Sequence, residues 1–111
     1  MCEDIKLILP ATPDYTTTLR LFASGVASRA GLDVDTLEDV KLCLSELMIM
    51  AIKDEFKEFK TEIKICENYL SIYAVVSEDE KDSMSIKIME ALSDELEVEE
   101  DSIVIKFKKE N

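Results

Sequence analysis

The sequence predicts an α+β domain. It should be a two-layer sandwich, with three helices packed on one face of a mixed, mostly antiparallel sheet of about five strands. Three observations carry that expectation. Apolar residues alternate with polar ones in five short segments, as they do along half-buried strands. They recur at three-and-four spacing in three other segments, as on amphipathic helices. Two pairs of the strand-like segments are separated by only a few polar residues, a spacing that antiparallel pairing alone permits. Helices and a sheet that each hide one apolar face are satisfied by stacking in two layers. At 111 residues, 47% of them hydrophobic and 34% charged, the chain is expected to form one domain over residues 1–111.

Ile5, Leu7 and Leu9 alternate with Lys6 and Ile8, a strand that Pro10 ends. Thr12 before Pro13 reads as a helix start, a side-chain cap followed by proline at the first helical position. Leu19, Phe22, Ala23, Val26, Ala27 and Ala30 then form one apolar stripe, and Gly31 suits the left-handed residue that closes a helix. Asp35 with Glu38 gives a capping-box-like start to a second helix, expected from Thr36 to about Asp54. Its inner stripe is Leu37, Val40, Leu44, Leu47, Met48 and Ala51. Its middle, Leu42 to Ile52, is apolar nearly all round apart from Ser45 and Glu46, so two faces should be covered. Ile63 and Ile65, then Leu70, Ile72, Ala74 and Val76, read as a hairpin. Its turn falls at Glu67-Asn68, where asparagine tolerates positive φ. A third helix is expected over roughly Ser83 to Glu95, with Ile88, Ala91 and Leu92 inward. Leu96 and Val98, then Ile103, Ile105 and Phe107, form a last hairpin, turning near Glu100-Asp101-Ser102. The order is β-α-α-β-β-α-β-β.

Thirteen basic residues against 25 acidic ones give a net charge of −12. Such a chain repels phosphate, so no nucleic-acid partner is expected. From Glu78 to Asp101 there are eleven acids and two lysines. That run reads either as a solvated, solubilising face or as a steering surface for a basic protein partner. No apolar run reaches membrane-span length and no charged-then-apolar leader opens the chain, so no membrane is expected. Cys2, Cys43 and Cys66 are scattered, without a C-x-x-C pair, and Cys43 and Cys66 fall in apolar patterns where free cysteine acts as a small hydrophobe. A reduced cytoplasm is the expected setting. The chain has no histidine. That removes Ser–His and Cys–His nucleophile pairs and the commonest transition-metal ligand, and no metal site is expected.

Leu9-Pro10-Ala11-Thr12-Pro13-Asp14-Tyr15, followed by Arg20-Leu21 and Ser24-Gly25-Val26-Ala27-Ser28-Arg29, resembles the first strand and helix of the anti-sigma serine kinases of the RsbW kind. These belong to the histidine-kinase/Hsp90-like (GHKL) ATPase superfamily. Asp39-Val40-Lys41, Ser45-Glu46 and Ala51 are similar to the helix carrying that family's N-box. Ile88-Met89-Glu90-Ala91-Leu92-Ser93-Asp94-Glu95 matches its third helix. The resemblance implies a Bergerat-like fold and an ATP/Mg site. It also implies a sigma factor or anti-sigma antagonist as protein partner, with an arginine of the first helix, here Arg20, on the partner surface. On general grounds Arg20 reads equally well as a solvated helix charge.

The departures bear on chemistry. Glu46 stands at the position of the family's general base, and Met50 at that of the asparagine that binds magnesium. Methionine offers no oxygen to a hard cation. Ser77 and Asp79 align with an aspartate and glycine that hold adenine, so a carboxylate stands where glycine lets the ligand approach. Between Val76 and Ile86 only nine residues, Ser77 to Ser85, replace a glycine-rich lid, and this stretch contains no glycine. The pocket positions Glu46, Met50, Ser77 and Asp79 therefore read as degenerate, with Glu46 vestigial. The resulting expectation is a non-catalytic regulatory interaction domain without cofactor. The alternative is an ATP-dependent serine/threonine kinase with divergent site residues. A homodimer would use the first helix or the edge strand Ile5–Leu9.

Overall fold

Strand alternation sets the core. In the computed structural model, which describes residues 1–77 and 83–109, Ile5 of strand β1 (Glu3–Pro10) faces Ile63 of β2 (Glu58–Ile65). Ile63 faces Ile72 of β3 (Tyr69–Val75), Ile72 faces Ile105 of β5 (Ser102–Lys108), and Ile105 faces Leu96 of β4 (Glu95–Val98). A neighbouring row runs Leu7, Thr61, Ala74, Ile103 and Val98. Both rows lie on the face that the helices cover. The strand order is β1-β2-β3-β5-β4, so β1 and β4 are the edges. Each of the four pairings is antiparallel, and the expected "mixed, mostly antiparallel" sheet is antiparallel throughout its described strands. Thr61, the one polar member of its row, donates its hydroxyl to the Tyr73 carbonyl at 2.8 Å, which offsets its burial.

Among the described residues three α-helices complete the layer: α1 (Thr16–Arg29), α2 (Val34–Lys53) and α3 (Met84–Leu92). Thr12 caps a one-turn 3₁₀ segment over Pro13–Tyr15, from which α1 continues. Leu19, Ala23, Val26, Ala27 and Ala30 of the α1 stripe are buried and Phe22 is half-buried. Gly31 (φ 76°) closes α1, with the Leu32 amide donating to the Ala27 carbonyl at 3.1 Å. The same closure ends α2, where the Phe56 amide donates to Ala51 at 3.0 Å, but Glu55 takes the left-handed position at φ 59°. It is the one non-glycine residue with positive φ among those described. Asn68 is therefore not left-handed, and the β2–β3 turn closes without it through the Cys66 amide on the Tyr69 carbonyl.

Several expectations are corrected. Helix α2 starts at Val34, two residues before Thr36, because Asp33 caps it: its carboxylate accepts from the Thr36 amide at 2.7 Å. That bond holds the Asp33 carboxyl below its ordinary range. A depressed carboxyl pKa contributes stability above the unfolded value that is lost as pH falls through the folded one. Asp33→Ala should accordingly lower the melting temperature at pH 7, and the gap to wild type should close as acidification protonates the cap. A gap that persists in acid would contradict this account.

The α2 middle is covered on two faces only, since Leu42 is 50% and Ile49 44% exposed. Helix α3 ends at Leu92 rather than near Glu95, and it buries Ser85, Ile86 and Met89, not Ile88 and Ala91, which are exposed. With nine residues the helix has just enough turns for either stripe, and packing against α2 selects one. Cys66 is not a free hydrophobe. One step beyond the Glu3–Ile65 pair, it is joined to Cys2 in a disulfide across β1 and β2, with a Cα–Cα distance of 4.3 Å. Cys43 alone is a free, buried thiol.

Candidate functional site

Helix α2 is central, packing against both α1 and α3. At 100° per residue, positions 43, 47 and 50 fall on one side of it and 42, 46 and 49 on the next. Cys43, Leu47 and Met50 are at most 1% exposed. Burial pushes the Cys43 thiol up to about 12, and the carboxylates of Asp39 and Glu46 push it the same way. A thiol held there stays protonated and is no nucleophile at neutral pH. Asp39 is itself raised, first by burial and then by Asp35 and Asp33.

Glu46 is half-buried, between the open Leu42–Ile49 stripe and the core-facing Met50. Lys53 is exposed, and no ion pair with Glu46 is seen among the described residues. Met50 is fully buried within the main apolar cluster. Its thioether packs against hydrocarbon rather than lining an opening, so the side chain that stands at the magnesium position neither carries an oxygen nor reaches solvent. The residues present do not fit a magnesium ion. No group of three or more side chains suited to a metal occurs among the described residues. Ser77 is half-buried just beyond β3. Asp79 lies outside the described residues. Glu46 and Met50 are thus neighbours on α2, while Arg20 lies apart from them on α1, exposed beside Leu21, which is 70% exposed.

The openings lie elsewhere. A cavity of about 390 Å³ is bounded by Lys64, Tyr69, Tyr73, Val104 and Lys106, on the sheet face that carries no helix. A second, of about 210 Å³, continues it past Glu62 and Tyr73 to Lys6, Ile8 and Lys60. Sequence reasoning missed this face. Its signal was present in the alternate positions of each strand, which were read only for what they hide.

No protein-family model matches the chain. The chain is 44% identical over 57 residues to the serine-protein kinase RsbW of Listeria monocytogenes, a match covering 51% of this chain and 36% of that protein. It is 43% identical over 56 residues to serine-protein kinase RsbW of Bacillus subtilis, covering 50% and 35%. The matched stretch thus spans about a third of the length of these curated relatives. Among solved structures, the RsbU and RsbW domains of a Mycobacterium tuberculosis protein superpose with a TM-score of 0.74 at 15% identity, covering 96% of this chain and 32% of that one. Three helices on a five-stranded antiparallel sheet in this order give the described chain the fold of the solved RsbU–RsbW structure, and half of its sequence is similar to RsbW.

Proposed function

We propose that this chain is a regulatory protein-interaction domain of the anti-sigma kind in which ATP binding has been lost. The observation that carries the reading is Met50, fully buried where an oxygen ligand for magnesium is required. The short, glycine-free stretch Ser77–Ser85 supports it, because phosphate cradles rely on glycine and exposed amides. The partner is a sigma factor or an anti-sigma antagonist, bound through the α1 surface at Arg20 and Leu21. An exposed arginine beside an exposed leucine suits an interface centre. A second copy of the chain completes a homodimer, and the domain works in the cytoplasm. No described helix is long and apolar enough to cross a membrane.

Calorimetric titration with ATP and magnesium tests the loss of nucleotide. No heat of binding is expected; micromolar affinity would overturn the proposal. A second reading, an ATP-dependent serine kinase with divergent site residues, is favoured by the serine-protein kinase names of the relatives and by half-buried Glu46. Transfer of radiolabel from ATP to a serine acceptor, lost in Glu46→Gln, would establish it instead.

A further inference from the structure

We infer that the helix-free face of the sheet carries a binding site for a small planar acid, an aromatic ring bearing a carboxylate or a phosphate monoester, seated over Ser71 between Lys64 and Lys106. The register sets these three side by side: Lys64 of β2 pairs with Ser71 of β3, and Ser71 with Lys106 of β5. Alternation turns them away from the helices, since Leu70 and Ile72 on either side of Ser71 are in the core. Ser71 is nevertheless only 8% exposed, and its hydroxyl has no hydrogen-bond partner among the described residues. It lines the cavity of about 390 Å³ on this face. A sunken hydroxyl that opens into a cavity, with its donor unused, is a group that a bound ligand satisfies.

The surroundings define the ligand. An ammonium on each side of a hydroxyl supplies donors for an anionic oxygen group. Tyr69 and Tyr73 lie on the same face of β3, two residues to either side of Ser71. Lys106 Nζ stands 5.2 Å from the centre of the Tyr69 ring, and Tyr73, 40% exposed, leaves ring surface open for stacking. A second cavity of about 380 Å³ shares Tyr69 and Lys106 with the first and adds Lys108 and Lys109. Four lysines therefore line the joined space against two acids, Glu62 and Glu95, the latter 3.9 Å from Lys106. Such a space is larger than a bare oxyanion needs and suits an oxyanion carried on a ring.

Charge also sets the ligand's size. Lysines and acids on the outer face of the sheet are equal in number, but they are not evenly spread. The rows nearest the β2–β3 turn hold Lys64, Lys106 and Lys108 against Asp4 and Glu95. This end of the face is a local positive island on a chain of net charge −12. Screening confines its pull to about 8 Å at physiological ionic strength. A small acid fits inside that range, whereas a nucleic-acid strand or an acidic protein also meets the surrounding excess of carboxylates.

Amide chemical-shift titration of the whole chain with phenyl phosphate tests the assignment. Saturable shifts at Tyr69, Ser71, Tyr73 and Lys106 are expected, with a dissociation constant of about 1 mM for a ligand of so few atoms. Lys64→Gln and Lys106→Gln should each weaken binding roughly threefold, while Lys53→Gln on α2 leaves it unchanged. Ser71→Ala, verified as folded by circular dichroism, should weaken it roughly tenfold. Phenol has the ring without the charge and inorganic phosphate the charge without the ring, so each should bind at least about tenfold more weakly. Benzoate is titrated alongside: saturation by either acid supports the site, and the tighter of the two names the acid group. Shifts that rise linearly to about 10 mM with both acids, or that are the same in both lysine variants, would overturn the site. Tighter binding of a single-stranded oligonucleotide than of phenyl phosphate would overturn it too. No outcome bears on the nucleotide titration, whose micromolar criterion is about a thousandfold tighter.

Discussion

Met50→Asn is expected to lower the stability of the domain by about 3–8 kcal/mol. The two parts of that figure have separate causes. Removing a fully buried methionine side chain costs about 2–5 kcal/mol in lost transfer and cavity terms. Placing an amide among the apolar neighbours of α2 without a partner costs about 1–3 kcal/mol more. Against a total stability of about 5–15 kcal/mol, the variant would sit near unfolding. Its melting temperature should fall by at least about 12 °C, at about 4–8 °C per kcal/mol in a domain of this size. Met50→Leu conserves volume and should cost less than about 1.5 kcal/mol. The asparagine variant is the informative one, since it installs the residue type that the RsbW resemblance places here for magnesium. If position 50 lined an open pocket, the substitution would be nearly neutral and nucleotide affinity would rise. Denaturant midpoints of the two variants, with ATP titrated into each, distinguish a filled core from a dormant site.

Reduction of the Cys2–Cys66 bridge is expected to cost about 2–4 kcal/mol, through the entropy that the closed loop removes from the unfolded chain. The cross-link spans 64 positions of sequence and pins the edge strand β1 to β2 at its open end. The melting temperature should fall by roughly 10 °C or more on adding a phosphine reductant. Cys2→Ser should show the same fall without reductant and no further change with it. Alkylation supplies the chemical check. Before reduction no thiol should label, because Cys43 is buried with its pKa pushed up to about 12. After reduction the exposed Cys2 should label first. A purified chain whose Cys2 labels at once, or whose melting ignores the reductant, would overturn the linkage. In a reducing cytoplasm this pair faces thiols that keep most cysteines free, so the bridge makes stability depend on redox setting.

The candidate site was partly legible in the sequence. The resemblance to the RsbW kind singled out Glu46 and Met50, one helical turn apart, and the structure keeps them as neighbours, one half-buried and one sealed. What neither the resemblance nor the apolar pattern decided was which side of an almost wholly apolar helix would be sealed. Helix α2 has apolar residues on three sides, and only the placement of α1 and α3 leaves Leu42 and Ile49 as the open stripe. The same ambiguity misplaced the inner stripe of α3: Ile86–Met89 and Ile88–Leu92 are both apolar, and nine residues give too little periodicity to rank them.

Local chemistry alone determined the element order, both hairpins, the Gly31 closure of α1 and the alternation that buries Ile63, Ile72 and Ile105. These follow from interactions within a few residues, or from a period-two pattern that admits a single inward face. Tertiary structure decided the rest. Cys2 and Cys66 meet only because β1 pairs with a strand more than fifty residues away, and no spacing rule carries that register. Glu55 takes a left-handed turn that glycine usually fills, because Phe56 must return to the core beneath α2. The balanced charge of the outer sheet emerges only when five strands are laid side by side. In the linear sequence those lysines are dispersed among the acids, and the chain reads simply as negative.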